Sequence, residues 1–144
     1  MWGFIIAIIS GALMSIQGVF NTGVTKQTSI WVCASFVQIT ALIVCLGAWV
    51  LTGREGSFLE LFKLDNKYML LGGATGAAIT YAVIRSVDTW GSARAQMCII
   101  TAQLLIAYII ELMGIFGSEK VDFEWRKLIG IIIIIIGIIT FKWK

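Results

Sequence analysis

Five stretches of this chain are apolar for long enough to approach a bilayer crossing, and that pattern excludes nearly every soluble architecture. A helix needs about 20 mainly apolar residues to span the hydrocarbon. The stretches run from Trp2 to about Asn21, from Ile30 to about Leu51, from Tyr68 to about Ile84, from about Gly91 to Met113, and from about Leu128 to Phe141. The last contains an unbroken isoleucine run, Ile131 to Ile136. Isoleucine suits a strand in water. In lipid an isolated run must satisfy its own backbone groups, which means a helix. Only 13% of the 144 residues are charged, against about a quarter in an ordinary soluble domain. A chain this short exposes much of its surface, and this one lacks the polar residues to coat it. The fold predicted is all-α and integral to the membrane, one domain of about five transmembrane helices without linker or internal repeat. Its place is the cell's plasma membrane, with lipid as its first partner.

Aromatic residues mark the edges. Trp31 and Trp49 bracket the second stretch, and Trp125 and Trp143 the fifth. Each pair lies 18 residues apart, or ~27 Å of helix, the separation of the two aromatic belts of a bilayer. The connections are short and polar: Thr22 to Ser29 with Lys26, a tight turn at Val87 to Trp90, and Gly117 to Arg126 with Glu119, Lys120, Asp122 and Glu124. The longest runs from Gly53 to Lys67, where Phe58, Leu59 and Phe62 could form one face of a short interfacial helix. The opening MWGFIIAIIS has no basic n-region, so it reads as a retained first helix and not a signal peptide.

Several functions are disfavoured on composition. There is no histidine, and Cys33, Cys45 and Cys98 stand far apart inside apolar runs. They read as small buried residues, with no metal site and no cofactor implied. The net charge of +3 is spread thinly, so no nucleic-acid partner is expected. No P-loop occurs. The chemistry of an enzyme, on lipid or a lipid-linked group, would need acid–base groups that are scarce here.

Five spans put the termini on opposite sides. One side holds Arg54, Lys63, Lys67, Lys120, Arg126 and Lys127; the other holds Lys26, Arg85, Arg94, Lys142 and Lys144. This near-balance gives the positive-inside rule little to act on. Insertion both ways up, with two opposite copies pairing, is one reading; a single orientation is the other.

Polar residues inside the spans are the informative ones. Ser10, Met14, Gln17 and Asn21 follow helical spacing along one stripe, with Gly11, Ser15 and Gly18 beside it. Gln96, Gln103 and Glu111 mark a second stripe on the fourth helix. The two stripes are expected to line a cavity that binds a small molecule, or else to join helices through amide hydrogen bonds; for Asn21, near the membrane edge, capping or joining is favoured. Glu111 is the only carboxylate within a predicted span. It is a candidate for proton coupling, for substrate binding, or for pairing with a basic residue or an opposite copy. Arg85, Asp88 and Arg94 lie near the third turn, as interfacial charges or as a gate or anion-attracting mouth. Gly72 with Gly76, and Gly130 with Gly137, are close-packing signals.

The segment GALMSIQGVFNTGV is similar to the opening of the YdcZ-type family of small membrane proteins. The segment GGATGAAITYAVIRSVDTWGSARAQMCIITAQLLIAYIIELMGIFG resembles its Gly-rich third helix, turn and fourth helix, and RKLIGIIIIIIGIIT its closing helix. The resemblance covers nearly the whole chain, the second helix contributing least. It implies membership of the drug/metabolite transporter superfamily: a five-helix half-unit of a ten-helix inverted-repeat transporter, working as an antiparallel homodimer or with a homologous chain. Gln17, Asn21, Gln103 and Glu111 match the family's recurring polar sites. Ala102 stands where the family often has Gly, and the proline common near the end of the third helix is absent. The related small multidrug resistance exporters use a first-helix Glu for proton exchange; Gln17 cannot ionise, so that mechanism does not transfer. The function expected is secondary transport or export of small organic metabolites by alternating access. The alternative is a non-transporting subunit or scaffold of a larger complex.

Overall fold

The computed structural model describes residues 1–142; Trp143 and Lys144, used above as a belt marker and a terminal charge, lie outside the described residues. Helices α1 (Trp2–Thr25), α2 (Ile30–Leu51), α3 (Gly72–Trp90), α4 (Ser92–Met113) and α5 (Trp125–Lys142) account for most of the chain, and no strand occurs among the described residues. The chain divides into two compact units, Met1–Thr89 and Trp90–Lys144.

Among the described residues, four helical segments are long and apolar enough to cross a membrane: Trp2–Thr25, Ile30–Leu51, Lys67–Trp90 and Ser92–Met113. The fifth, α5, has 18 residues and carries Arg126, Lys127 and Lys142 near its ends. Its uncharged stretch, Leu128 to Phe141, is only ~21 Å long at 1.5 Å per residue. Burial is inverted relative to a water-soluble domain. Phe4, Phe36, Ile43, Val44 and Ile133 are more than half exposed, whereas Asn21, Thr22, Cys33, Ala34 and Ala95 are buried. Most large apolar side chains face outward, as lipid requires, and small and polar residues share the helix contacts with the buried Ile84, Val87, Tyr108 and Ile131.

Several boundaries differ from those read in the sequence. Helix α1 continues to Thr25 because its polar end satisfies itself: Thr22 Oγ1 donates to the Gly18 carbonyl and Thr25 Oγ1 to that of Asn21, both at 2.8 Å. Ser29 then caps α2, its hydroxyl accepting the Val32 N–H at 3.2 Å. Residues Lys67–Leu71 form a 3₁₀ turn before α3. Helix α3 runs on to Trp90 because no breaker intervenes before Gly91, whose φ of +79° suits a residue without a side chain. The tight turn expected over Val87–Trp90 is therefore helical, and Arg85 and Asp88 lie in the closing turns of α3. The expected interfacial helix is a 3₁₀ stretch, Phe58–Lys63; Phe58 packs edge-on to Trp49, while Leu59 and Phe62 stay exposed. Helix α5 begins about a turn early, at Trp125.

In the first unit α1 packs on α2, with the Cys33 thiol donating to the Asn21 carbonyl at 3.3 Å. Helix α3 meets α2 where the Trp31 and Tyr81 rings stack at 5.1 Å and where Gly76 leaves room for the Gln38 amide. In the second unit α4 packs on α5. Throughout, threonines turn inward on their own helices. Thr40, Thr80, Thr89, Thr101 and Thr140, like Thr22 and Thr25, each donate to the carbonyl four residues earlier, at 2.8–3.0 Å.

Candidate functional site

With those hydroxyls committed to backbone, the polar groups left without a hydrogen bond in the spans, among the described residues, include carboxamides and the hydroxyls of Ser10, Ser15, Ser35 and Ser86. Ser10, Met14, Gln17 and Asn21 come together on one flank of α1, lining an open groove of about 530 Å³ with Leu13 and Phe20. Gln17 and Asn21 also open onto a second groove of about 550 Å³ between α1 and α2, walled by Phe20, Phe36, Val37 and Val44. Asn21 is only 8% exposed. Its backbone carbonyl takes the Cys33 thiol, yet its side-chain amide, like that of Gln17, makes no hydrogen bond among the described residues. A carboxamide offers two donors and an acceptor, and leaving them unmet in an apolar setting is costly. Two such groups one helical turn apart, in a groove with apolar walls, suit a small solute with both polar and apolar parts.

The second stripe lies in the second unit. Gln96 is half-buried and Gln103 exposed; neither amide has a hydrogen bond among the described residues. Glu111, in the last turn of α4, has Lys127 Nζ of α5 at 4.0 Å from its Oε2. Lys127 also pairs with Glu124 at 3.4 Å and lies 5.4 Å from the centre of the Tyr108 ring. The buried Tyr108 hydroxyl accepts the Glu124 N–H at 2.9 Å, and the Glu111 carbonyl accepts the Val121 N–H at 3.0 Å. Together these contacts fasten the polar loop after α4 onto the helices it joins. The sequence offers a basic partner for Glu111 without singling out Lys127, and it does not bring Tyr108 or Glu124 to that cluster. The signal available was spacing: Tyr108 precedes Glu111 by three residues and Glu124 precedes Lys127 by three, each a helical neighbour.

Tyr108→Phe tests this fastening. It removes a partner from a backbone donor, which costs about 1–2 kcal/mol. Thermal unfolding in detergent should show a lowered midpoint, and an unchanged one would mean that the loop holds without it.

The remaining candidates separate. The Arg85 guanidinium lies 5.9 Å from the Tyr81 ring centre, extending the Trp31–Tyr81 stack into a three-member ladder. Arg85 and Asp88 belong to the first unit and Arg94 to the second. Of the glycines picked out for packing, Gly76 has a close neighbour, whereas a Cβ at Gly72, Gly130 or Gly137 would meet nothing within 4 Å among the described residues.

No curated protein and no solved structure matches the chain. One family model does, over residues 2–140, and it is described as "Putative inner membrane exporter, YdcZ". The match reaches into every helix and takes in both polar stripes, and its description agrees with a multi-pass chain most of whose large apolar side chains face outward. The chain belongs to the YdcZ family of inner-membrane exporters.

Proposed function

We propose that the chain is a secondary transporter that exports small organic metabolites as an antiparallel pair, with Gln17 and Asn21 among the groups that hold the solute. The observation that carries this reading is the pair of uncommitted carboxamides in the α1–α2 groove. A scaffold subunit would be expected to close such amides on one another; these stay available to a solute, to water or to a second copy. The near-even division of basic residues between the two sides supports opposite insertion, and two opposite copies reproduce the arrangement that inverted repeats achieve within one longer chain. Each copy would then alternate between faces by rocking against the other. Glu111 is best read as structural, given Lys127 beside it.

Vesicles containing the purified chain test this. Efflux of a broad panel of small organic solutes is measured with and without a pH gradient. At least one compound should move faster than in empty vesicles. Gln17→Leu should cut that flux about tenfold, the worth of one polar hydrogen bond of about 1.4 kcal/mol. Glu111→Gln should keep whatever gradient dependence the wild type shows. No flux for any compound would favour the scaffold, and a C-terminal reporter found on one side only would remove the antiparallel pair.

A further inference from the structure

We infer that the second unit carries a binding site for one anionic phospholipid, between the first turns of α4 and the last turns of α5. Trp90, Arg94, Met97 and Cys98 from one side, and Ile138 and Phe141 from the other, enclose a pocket of about 170 Å³. A cavity of about 150 Å³ holds a benzene ring, so this space takes one ring or a few methylenes of an acyl chain. Among the described residues its walls are apolar or aromatic, with one charge, the Arg94 guanidinium. Arg94 makes no ion pair, hydrogen bond or ring contact among the described residues. It lies on the third residue of α4, at the end of a span, where a phospholipid headgroup sits. Arginine binds phosphate through two parallel N–H bonds. Trp90 and Phe141 are more than half exposed, so the lining presents apolar surface to a neighbouring lipid. The chemistry selected is an anion with an apolar tail, and in a bilayer the abundant molecule of that kind is an anionic phospholipid. Arg54, by contrast, lies 6.0 Å from the Trp49 ring centre, and Arg85 is held by Tyr81.

Cys98 gives a local readout. A Cys33→Ala, Cys45→Ser background leaves it the sole thiol of the full chain. Its alkylation by a small maleimide is timed in nanodiscs of phosphatidylcholine with and without phosphatidylglycerol. Phosphatidylglycerol should slow the reaction about tenfold, in line with one charge-assisted contact. Arg94→Gln should abolish the slowing, Arg94→Lys should keep part of it, and Lys120→Gln should keep all of it. Ile138→Trp, which fills the pocket, should make both rates low and equal. Equal rates in the two lipids for the wild type would overturn the site, as would slowing that survives Arg94→Gln. Octanoate added to phosphatidylcholine nanodiscs separates the two sources: protection by octanoate without protection by phosphatidylglycerol would overturn the lipid assignment.

Discussion

Gly114→Val should lower the unfolding midpoint of the protein in detergent by roughly 10 °C, the effect of a few kcal/mol in a domain of this size. Two costs add. Gly114 ends α4 in the left-handed conformation, φ +62° and ψ +37°, with its N–H donating to the Ile110 carbonyl at 2.9 Å. A side chain in that conformation costs about 1–2 kcal/mol, and more if β-branched. A Cβ there would also stand 2.9 Å from Lys120 Cβ and 3.4 Å from its Cα, so the loop must shift, at a further cost of about 1–3 kcal/mol. Gly117→Ala separates the two terms: it too has positive φ, +83°, but a Cβ there meets nothing within 4 Å. It should show a smaller loss. Equal melting of Gly114→Val and wild type would mean that the loop does not fold back onto α4 as described.

The second large effect is expected at the α1–α2 seam. Cys33 is 2% exposed and its thiol donates to the Asn21 carbonyl. Phenylalanine there must push the two helices apart, costing about 1–3 kcal/mol from overpacking. Cys45 sits three turns further along the same helix and is exposed; Cys45→Phe should change stability by less than about 0.5 kcal/mol. Unfolding in a graded denaturing detergent compares the two. If both variants unfold with the wild type, close contact at Cys33 is not part of what holds the unit together.

Much of the helical layout was legible because lipid imposes a simple rule. A run such as Ile131 to Ile136 has one way to satisfy its backbone, and the start of α2 after Ser29 is written in the capping residue. Gly91 is the only helix breaker between Tyr81 and Met113, yet the apolar stretch stops at about Ile84, because Arg85 and Asp88 follow it. Charges near a membrane edge do not stop a helix; they change what surrounds it. The cysteines read alike in the sequence, but only Cys33 is buried, since burial depends on which face meets a neighbour. The Tyr108–Glu124 bond joins residues 16 apart, across a loop whose path no local pattern specifies. The stripe on α1 was legible from spacing alone, because four residues on one helix share a face whatever the rest of the chain does.

The inward-turned threonines bear on how the chain enters the membrane. A hydroxyl already bonded to its own helix no longer has to be stripped of water one molecule at a time, so to the surrounding acyl chains such a residue is close to a valine. The α3 segment, the least apolar of the four crossing segments, holds Thr80 and Thr89 in this state. Its insertion should be easier than a residue-by-residue transfer scale suggests, and replacing either threonine with valine should leave the efficiency of partitioning from the translocon nearly unchanged.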